Sequence, residues 1–313
     1  MKYLFGPVNS RRLGLSQGID LLPAKICNFN CIYCEVGATI LHTCDRKEYS
    51  PTTEILEEID TLLAGEHPPI DVFTITASGE PTLHSGLGSI IHHIKHKTNK
   101  PVVILTNGSL LHVAGVRSEL MAADIVIPSL DSAREESFRK INRPAQCVQL
   151  PDIISGLGSF SREFPGKIWL EILLVKGIND SDADIAALVK ATRKIRPDRI
   201  QLNTVVRPPL ESYAAPMTEH ELKKIARQFA GQIEIIADFA KRKRHHLRSA
   251  AEPEILDMLK RRPCTAPDIC EALNLDLDQV QILLDKLHRN TALTRITHAG
   301  KIYYQTHSEN TVT

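Results

Sequence analysis

Short apolar runs recur from about residue 18 to residue 236, separated by longer stretches whose apolar residues repeat at the helical period. Such a run followed by an amphipathic segment is the pattern of a strand buried in a parallel sheet and the helix that covers it. The runs at residues 19–22, 72–76, 102–106, 125–129, 169–175 and 200–205 are predicted as strands, with a further one at 233–236. Helix-start signals fall between them: Ser50-Pro51 precedes 54–63, Asn179-Asp180-Ser181 precedes 185–195, and Thr218 precedes 222–230. The expected fold is α/β, a partial (β/α)6 TIM-type barrel over residues 1–238. Such barrels place their chemistry on the loops at the C-terminal ends of the strands.

Beyond residue 238 the pattern changes to a basic run, Lys241-Arg242-Lys243-Arg244-His245-His246-Leu247-Arg248, read as a linker at 239–250. Three helical segments follow at 253–261, 266–273 and 277–289, then two short strands at 293–297 and 301–305 turned at His298-Ala299-Gly300. Three helices and a two-stranded wing predict a small winged-helix domain at 251–313.

Composition narrows the function classes. The chain has 313 residues, 42% of them hydrophobic, enough for a large core. Its 38 Lys and Arg against 37 Asp and Glu give no global pull toward nucleic acid or an anionic membrane. No stretch approaches the apolar length of a bilayer span, so a cytoplasmic protein without membrane attachment is expected. Seven cysteines, three of them within eight residues, suit a reducing compartment and a metal site better than a disulfide framework.

Those three read Cys27-Asn28-Phe29-Asn30-Cys31-Ile32-Tyr33-Cys34, a C-x3-C-x2-C spacing just after the first predicted strand. Three thiolates on one loop cap three corners of a four-iron four-sulfur (4Fe-4S) cluster and leave the fourth iron open to a ligand. The competing reading is structural zinc completed by Cys44 or His42, although zinc sites usually pair two knuckles and here there is one. Cys44 is otherwise a spare ligand. Cys147, Cys264 and Cys270 stand alone and read as small buried hydrophobes.

With its aromatic Tyr33, this loop resembles that of the radical S-adenosylmethionine (SAM) superfamily, and the resemblance spans residues 1 to about 236. More narrowly, Gly6-Pro7-Val8, Ser10-Arg11-Arg12-Leu13-Gly14 and Ile19-Asp20 resemble the opening of the iron-sulfur oxidoreductases related to tRNA demethylwyosine synthase. The resemblance implies a 4Fe-4S cluster on Cys27, Cys31 and Cys34, with SAM chelating the open iron. It implies reductive cleavage of SAM to a deoxyadenosyl radical that takes hydrogen from a substrate, and an electron donor of the flavodoxin or ferredoxin type.

It also implies SAM contacts at successive strand ends. Ser78-Gly79-Glu80 is similar to the family's Gly-Gly-Glu segment, with Ser78 in place of the first glycine, and would hold the SAM ammonium. Asn107, Ser129 and Asp131 fall where the carboxylate or ribose hydroxyls would lie, Glu171 on the fifth strand points at SAM, and Asn203 meets the adenine edge. Taken singly, each of these also reads as a turn or a cap. Arg11, Arg12, Arg143 and Arg207 suit a phosphate or carboxylate, or ordinary ion pairs.

The substrate reading stays broad: RNA, peptide or protein. Residues 1–26 hold no cysteine for the second cluster of the demethylwyosine enzyme, although Lys25 lies beside the loop. Asp278 and Asp285 on the presumed groove-reading helix disfavour sequence-specific DNA. The alternative function is an iron-sulfur redox-sensing regulator with the winged helix as its output.

Overall fold

The computed structural model describes residues 1–10, 12–237, 252–273 and 275–306. The elements run β1 (Leu4–Ser10), β2 (Gly14–Asp20), β3 (Ile26–Cys27), β4 (Leu41–His42), α1 (Thr52–Ala64), β5 (Val72–Thr76), a 3₁₀ turn at Pro81–Leu83, α2 (Leu87–Lys97), β6 (Val102–Thr106), α3 (Ala114–Leu120) and β7 (Ile125–Pro128). Then come α4 (Glu135–Asn142), α5 (Leu150–Glu163), β8 (Lys167–Leu174), α6 (Asp182–Ile195), β9 (Arg199–Thr204), α7 (Glu219–Ala226) and β10 (Ile233–Ile235).

One sheet is ordered β1-β2-β5-β6-β7-β8-β9-β10. From β2 onward neighbours are parallel, and β1 pairs antiparallel with β2. The α/β alternation read from the sequence is therefore present, with the seventh parallel strand, β10, among the described residues. The central strands are apolar on both faces, as strands covered by helices must be: Phe73 and Ile75 of β5, Val102, Val103 and Ile104 of β6, and Val126 of β7 are buried. Ile55 and Ile59 of α1 and Ile90, Ile91 and Ile94 of α2 pack on them.

Two differences from expectation lie at the sheet's first edge. β1 is not legible as a strand, because its LFGPVNS sequence lacks alternation and carries a proline, a residue tolerated on edge strands. β2 begins at Gly14 rather than at 19, since GLSQGID has only Leu15 as an apolar residue before Ile19.

The C-terminal unit consists of α8 (Glu252–Arg261), α9 (Ala266–Leu273), α10 (Leu277–Arg289) and an antiparallel pair, β11 (Leu293–His298) and β12 (Lys301–Thr306). It has its own buried cluster, including Ile255, Leu259, Ile269, Val280, Leu284 and Tyr304, against which Val8 of β1 also packs. The basic run assigned to a linker lies outside the described residues, as does Arg11.

Candidate functional site

The loop after β2 carries the three free thiols, with Cys27 buried and Cys31 and Cys34 half-buried. It hangs between the C-terminal end of β5 and the end of α4. The Glu80 amide donates to Ile26 O (3.0 Å), the Ile32 amide to Ile141 O (2.9 Å) and the Ala145 amide to Asn28 O (2.9 Å). N–H groups reach two of the sulfurs: the Phe29 amide lies 3.4 Å from Cys27 Sγ, Asn107 Nδ2 3.7 Å from the same sulfur, and Asn142 Nδ2 3.3 Å from Cys31 Sγ. Burial pushes the Cys27 thiol up to about 12 and the Cys31 thiol well above its usual range. Sulfurs so placed ionise when a cationic cluster binds them, and N–H donors then offset their charge.

Among the described residues, no three His, Cys, Asp or Glu side chains form a single-ion site. Ligands to a cubane bind separate irons and stand further apart than the clasp of one tetrahedral zinc. The donor set fits a 4Fe-4S cluster.

The residues expected at SAM fall into three groups. Ser78 lies beside β2, its Oγ donating to Asp20 Oδ2 (2.6 Å) and its amide to Asp20 Oδ1 (3.0 Å). Gly79 passes against the cysteine loop so closely that a Cβ would fall 1.7 Å from Ile26 O. Glu80 is 2% exposed. Its Oε1 accepts from the Thr82 amide and hydroxyl and from Thr106 Oγ1, and its Oε2 accepts from the Asn107 amide. Burial pushes this carboxyl up, against those donors. Oε2 keeps acceptor capacity that Oε1 has spent.

The second group lies under the cysteine loop. β7 and β8 pair over two rungs and then part, meeting again only at the Ser129–Glu171 bridge. Just past that bridge Asp131, buried, accepts the Leu173 amide on its Oδ1 (3.0 Å). Its Oδ2 accepts from Tyr33 Oη (2.5 Å) and Asn142 Nδ2 (2.7 Å), and burial raises its pKa. Asn107, Ser129 and Asp131 line a cleft of only about 10 Å³.

Glu171 and Asn203 engage each other, Asn203 Nδ2 donating to Glu171 Oε1 (2.9 Å), while Arg12 reaches from the β1–β2 turn to Glu171 Oε2 (2.7 Å) and Gln201 Oε1 (2.7 Å). Arg12, Arg143 and Arg207 are thus in ion pairs, with Glu171, Glu211 and Glu35. Lys25 is buried, its ammonium on Gly37 O.

Ser78 and Asn203 open onto a cavity of about 510 Å³ between the barrel mouth and the C-terminal unit, with Arg261 and Tyr303 also on its wall. Sequence reasoning passed over Asp20, Asn28 and Asn142 as site residues. Asp20 and Asn28, whose Oδ1 accepts from Asn107 Nδ2 (2.8 Å), stood inside quoted motifs; nothing local marked Asn142.

One expectation is overturned. Cys44 and Cys147 form a disulfide, so Cys44 is no spare ligand and Cys147 no lone buried hydrophobe. A separation of 103 residues hides such a pair from any reading of spacing. Cys264 and Cys270 are buried and outside the disulfide, as expected.

A family model described as the radical SAM superfamily matches residues 21–189, more than half of the chain. The chain belongs to this superfamily. It is a radical SAM enzyme, with a 4Fe-4S cluster and SAM as its cofactors. A UPF0026 protein of Methanocaldococcus jannaschii is 30% identical over 97% of this chain and 96% of its own length. A protein of Brachyspira hyodysenteriae named GTPase Obg is 38% identical over 91% of this chain, which spans only 42% of that longer protein. Among solved structures, a radical SAM methyltransferase from Sphaerobacter thermophilus shares the fold at 14% identity, with a TM-score of 0.55 over 72% of this chain and 67% of its own. No described helix is long and apolar enough to cross a membrane.

Proposed function

We propose that this radical SAM enzyme binds its cluster through Cys27, Cys31 and Cys34, seats SAM against residues 78–80, and admits its substrate to the cavity under the C-terminal unit. The observation that carries the reading is one loop with three free thiols, hung beside the C-terminal ends of β5 and β6 with N–H donors on two of its sulfurs. When bound, the reduced cluster and SAM supply a deoxyadenosyl radical that abstracts hydrogen.

The chain's own residues do the rest. Asn107, Asn142 and the Phe29 amide offset sulfur charge, while Asp131 anchors the loop through Tyr33. Glu80 Oε2, with the carbonyls beside it, offers acceptors for the SAM ammonium. Glu171 and Asn203, tied together, form the polar wall across which the ribose and adenine would lie. The electron would come from a flavodoxin- or ferredoxin-type donor.

The three helices and hairpin of the C-terminal unit suit a winged helix, and the barrel and this unit suit separate domains because each has its own core. On α10, Asp278 and Asp285 stand where a reader of DNA needs donors, and Asp285 also engages Arg295 of β11; the substrate classes that suit the chain are RNA, peptide or protein. The β1–β2 hairpin, from which Arg12 crosses to Glu171, carries the segments that resemble the demethylwyosine synthase group.

The test is anaerobic incubation of the reconstituted protein with SAM and dithionite. Wild-type protein is expected to yield deoxyadenosine and methionine, and Cys31→Ala none. Unchanged production by the variant would show that the loop does not hold the working cluster.

A further inference from the structure

We infer that Arg261, on α8 of the C-terminal unit, is a positioning residue for SAM, acting through Asp20 on Ser78. The inference rests on residues 78–80 being the seat of SAM. Ser78 stands where the resembling segment has glycine, and its side chain supplies what glycine cannot: an O–H donated to Asp20 Oδ2 at 2.6 Å. The amides of Ser78 and Leu22 donate to Oδ1 of the same carboxylate, at 3.0 and 3.1 Å. Asp20 ends β2 at 7% exposure, and a carboxylate held from water by neutral donors is stabilised further by a cation beside it. Arg261 is that cation, its Nη1 3.1 Å from Oδ2.

The guanidinium is fixed from a second side. It lies 4.1 Å from the Phe5 ring centroid, and the Phe5 ring in turn rests on Gly18, where a Cβ would fall 2.1 Å from Phe5 Cζ. β1, β2 and α8 thus converge on one carboxylate. The other side of the turn is set by the close passage of Gly79 over Ile26 O and by the hydrogen bond from the Glu80 amide to the same oxygen. One contact ties the turn to the cysteine loop, and the other ties it to the C-terminal unit. A ligand that bridges cluster and turn needs both held, because a small displacement of a supporting group weakens every contact it orients.

The experiment uses the full-length, cluster-loaded protein, with SAM affinity read by anaerobic equilibrium dialysis of radiolabelled SAM, and with iron, sulfide and melting temperature measured alongside. Arg261→Ala is expected to bind SAM about 10-fold more weakly at unchanged iron and sulfide, the lower range for loss of an outer supporting contact. Arg261→Lys should recover part of the affinity, since it restores the charge without the fork. In a Ser78→Gly background, which removes the hydroxyl link, Arg261→Ala should have a clearly smaller effect, because the two act in series. Wild-type affinity in Arg261→Ala, or fully additive losses in the double variant, would overturn the inference. If Arg261→Ala does not fold, Arg261→Lys in the two backgrounds makes the same comparison, and equal losses in both overturn it. Failure of the loaded wild-type protein to bind SAM at all would overturn the functional reading, and this inference with it.

Discussion

At the residue scale, Gly79 shows how little room the site leaves. The atom that an added Cβ would strike, Ile26 O at 1.7 Å, belongs to backbone and cannot swing aside. Gly79→Ala is therefore expected to cost about 2–3 kcal/mol in denaturant unfolding, and to lower iron content by pushing the cysteine loop off its perch. Unchanged iron in the folded variant would show that the loop tolerates the shift. The cysteines themselves were legible because their geometry is local: a few residues of spacing decide which corners they can cap. Asp20, Asn142 and Arg12 were not legible in their roles, since each acts on a partner far along the chain, Arg12 on a glutamate 159 residues away. The arginines could be read as anion binders or as members of ion pairs, because charge shows in a sequence, whereas the carboxylate that has already claimed it does not.

At the element scale, the alternation of strand and helix could be read because each βα unit announces itself within about 30 residues. β1 could not, since an edge strand needs no apolar alternation when its partner supplies the ladder. The Cys44–Cys147 link belongs to this scale as well. It joins the segment after β4 to the loop between α4 and α5, on either side of the strip where Phe29 bridges to Pro144. Closing a loop of about 100 residues restricts the unfolded chain, and Cys147→Ser should lower unfolding stability by about 2–4 kcal/mol under non-reducing conditions. Urea melts would show that difference disappear when both proteins are treated with reductant. A persisting difference would assign the effect to packing.

At the scale of the whole molecule, the C-terminal unit was visible as elements but not in its placement. Nothing in its sequence says that it leans on β1 or that Tyr303 Oη donates to Val206 O at 2.6 Å, just past the end of β9. Tyr303 is 2% exposed, so Tyr303→Phe leaves that carbonyl short of a partner and should cost about 1 kcal/mol, visible as a lowered melting temperature. No change would mean that water replaces the phenol.

The seam between β1 and α8 joins a strand to a helix made much later. A ribosome that has passed residue 237 but not 252 has produced every thiol of the cluster loop and none of the unit that later sets Arg262 beside Glu35, the neighbour of Cys34. Until that unit folds, Glu35 has Arg207 within reach but not Arg262, so the last cation to arrive at the edge of the cluster loop comes from a unit made long after the loop itself.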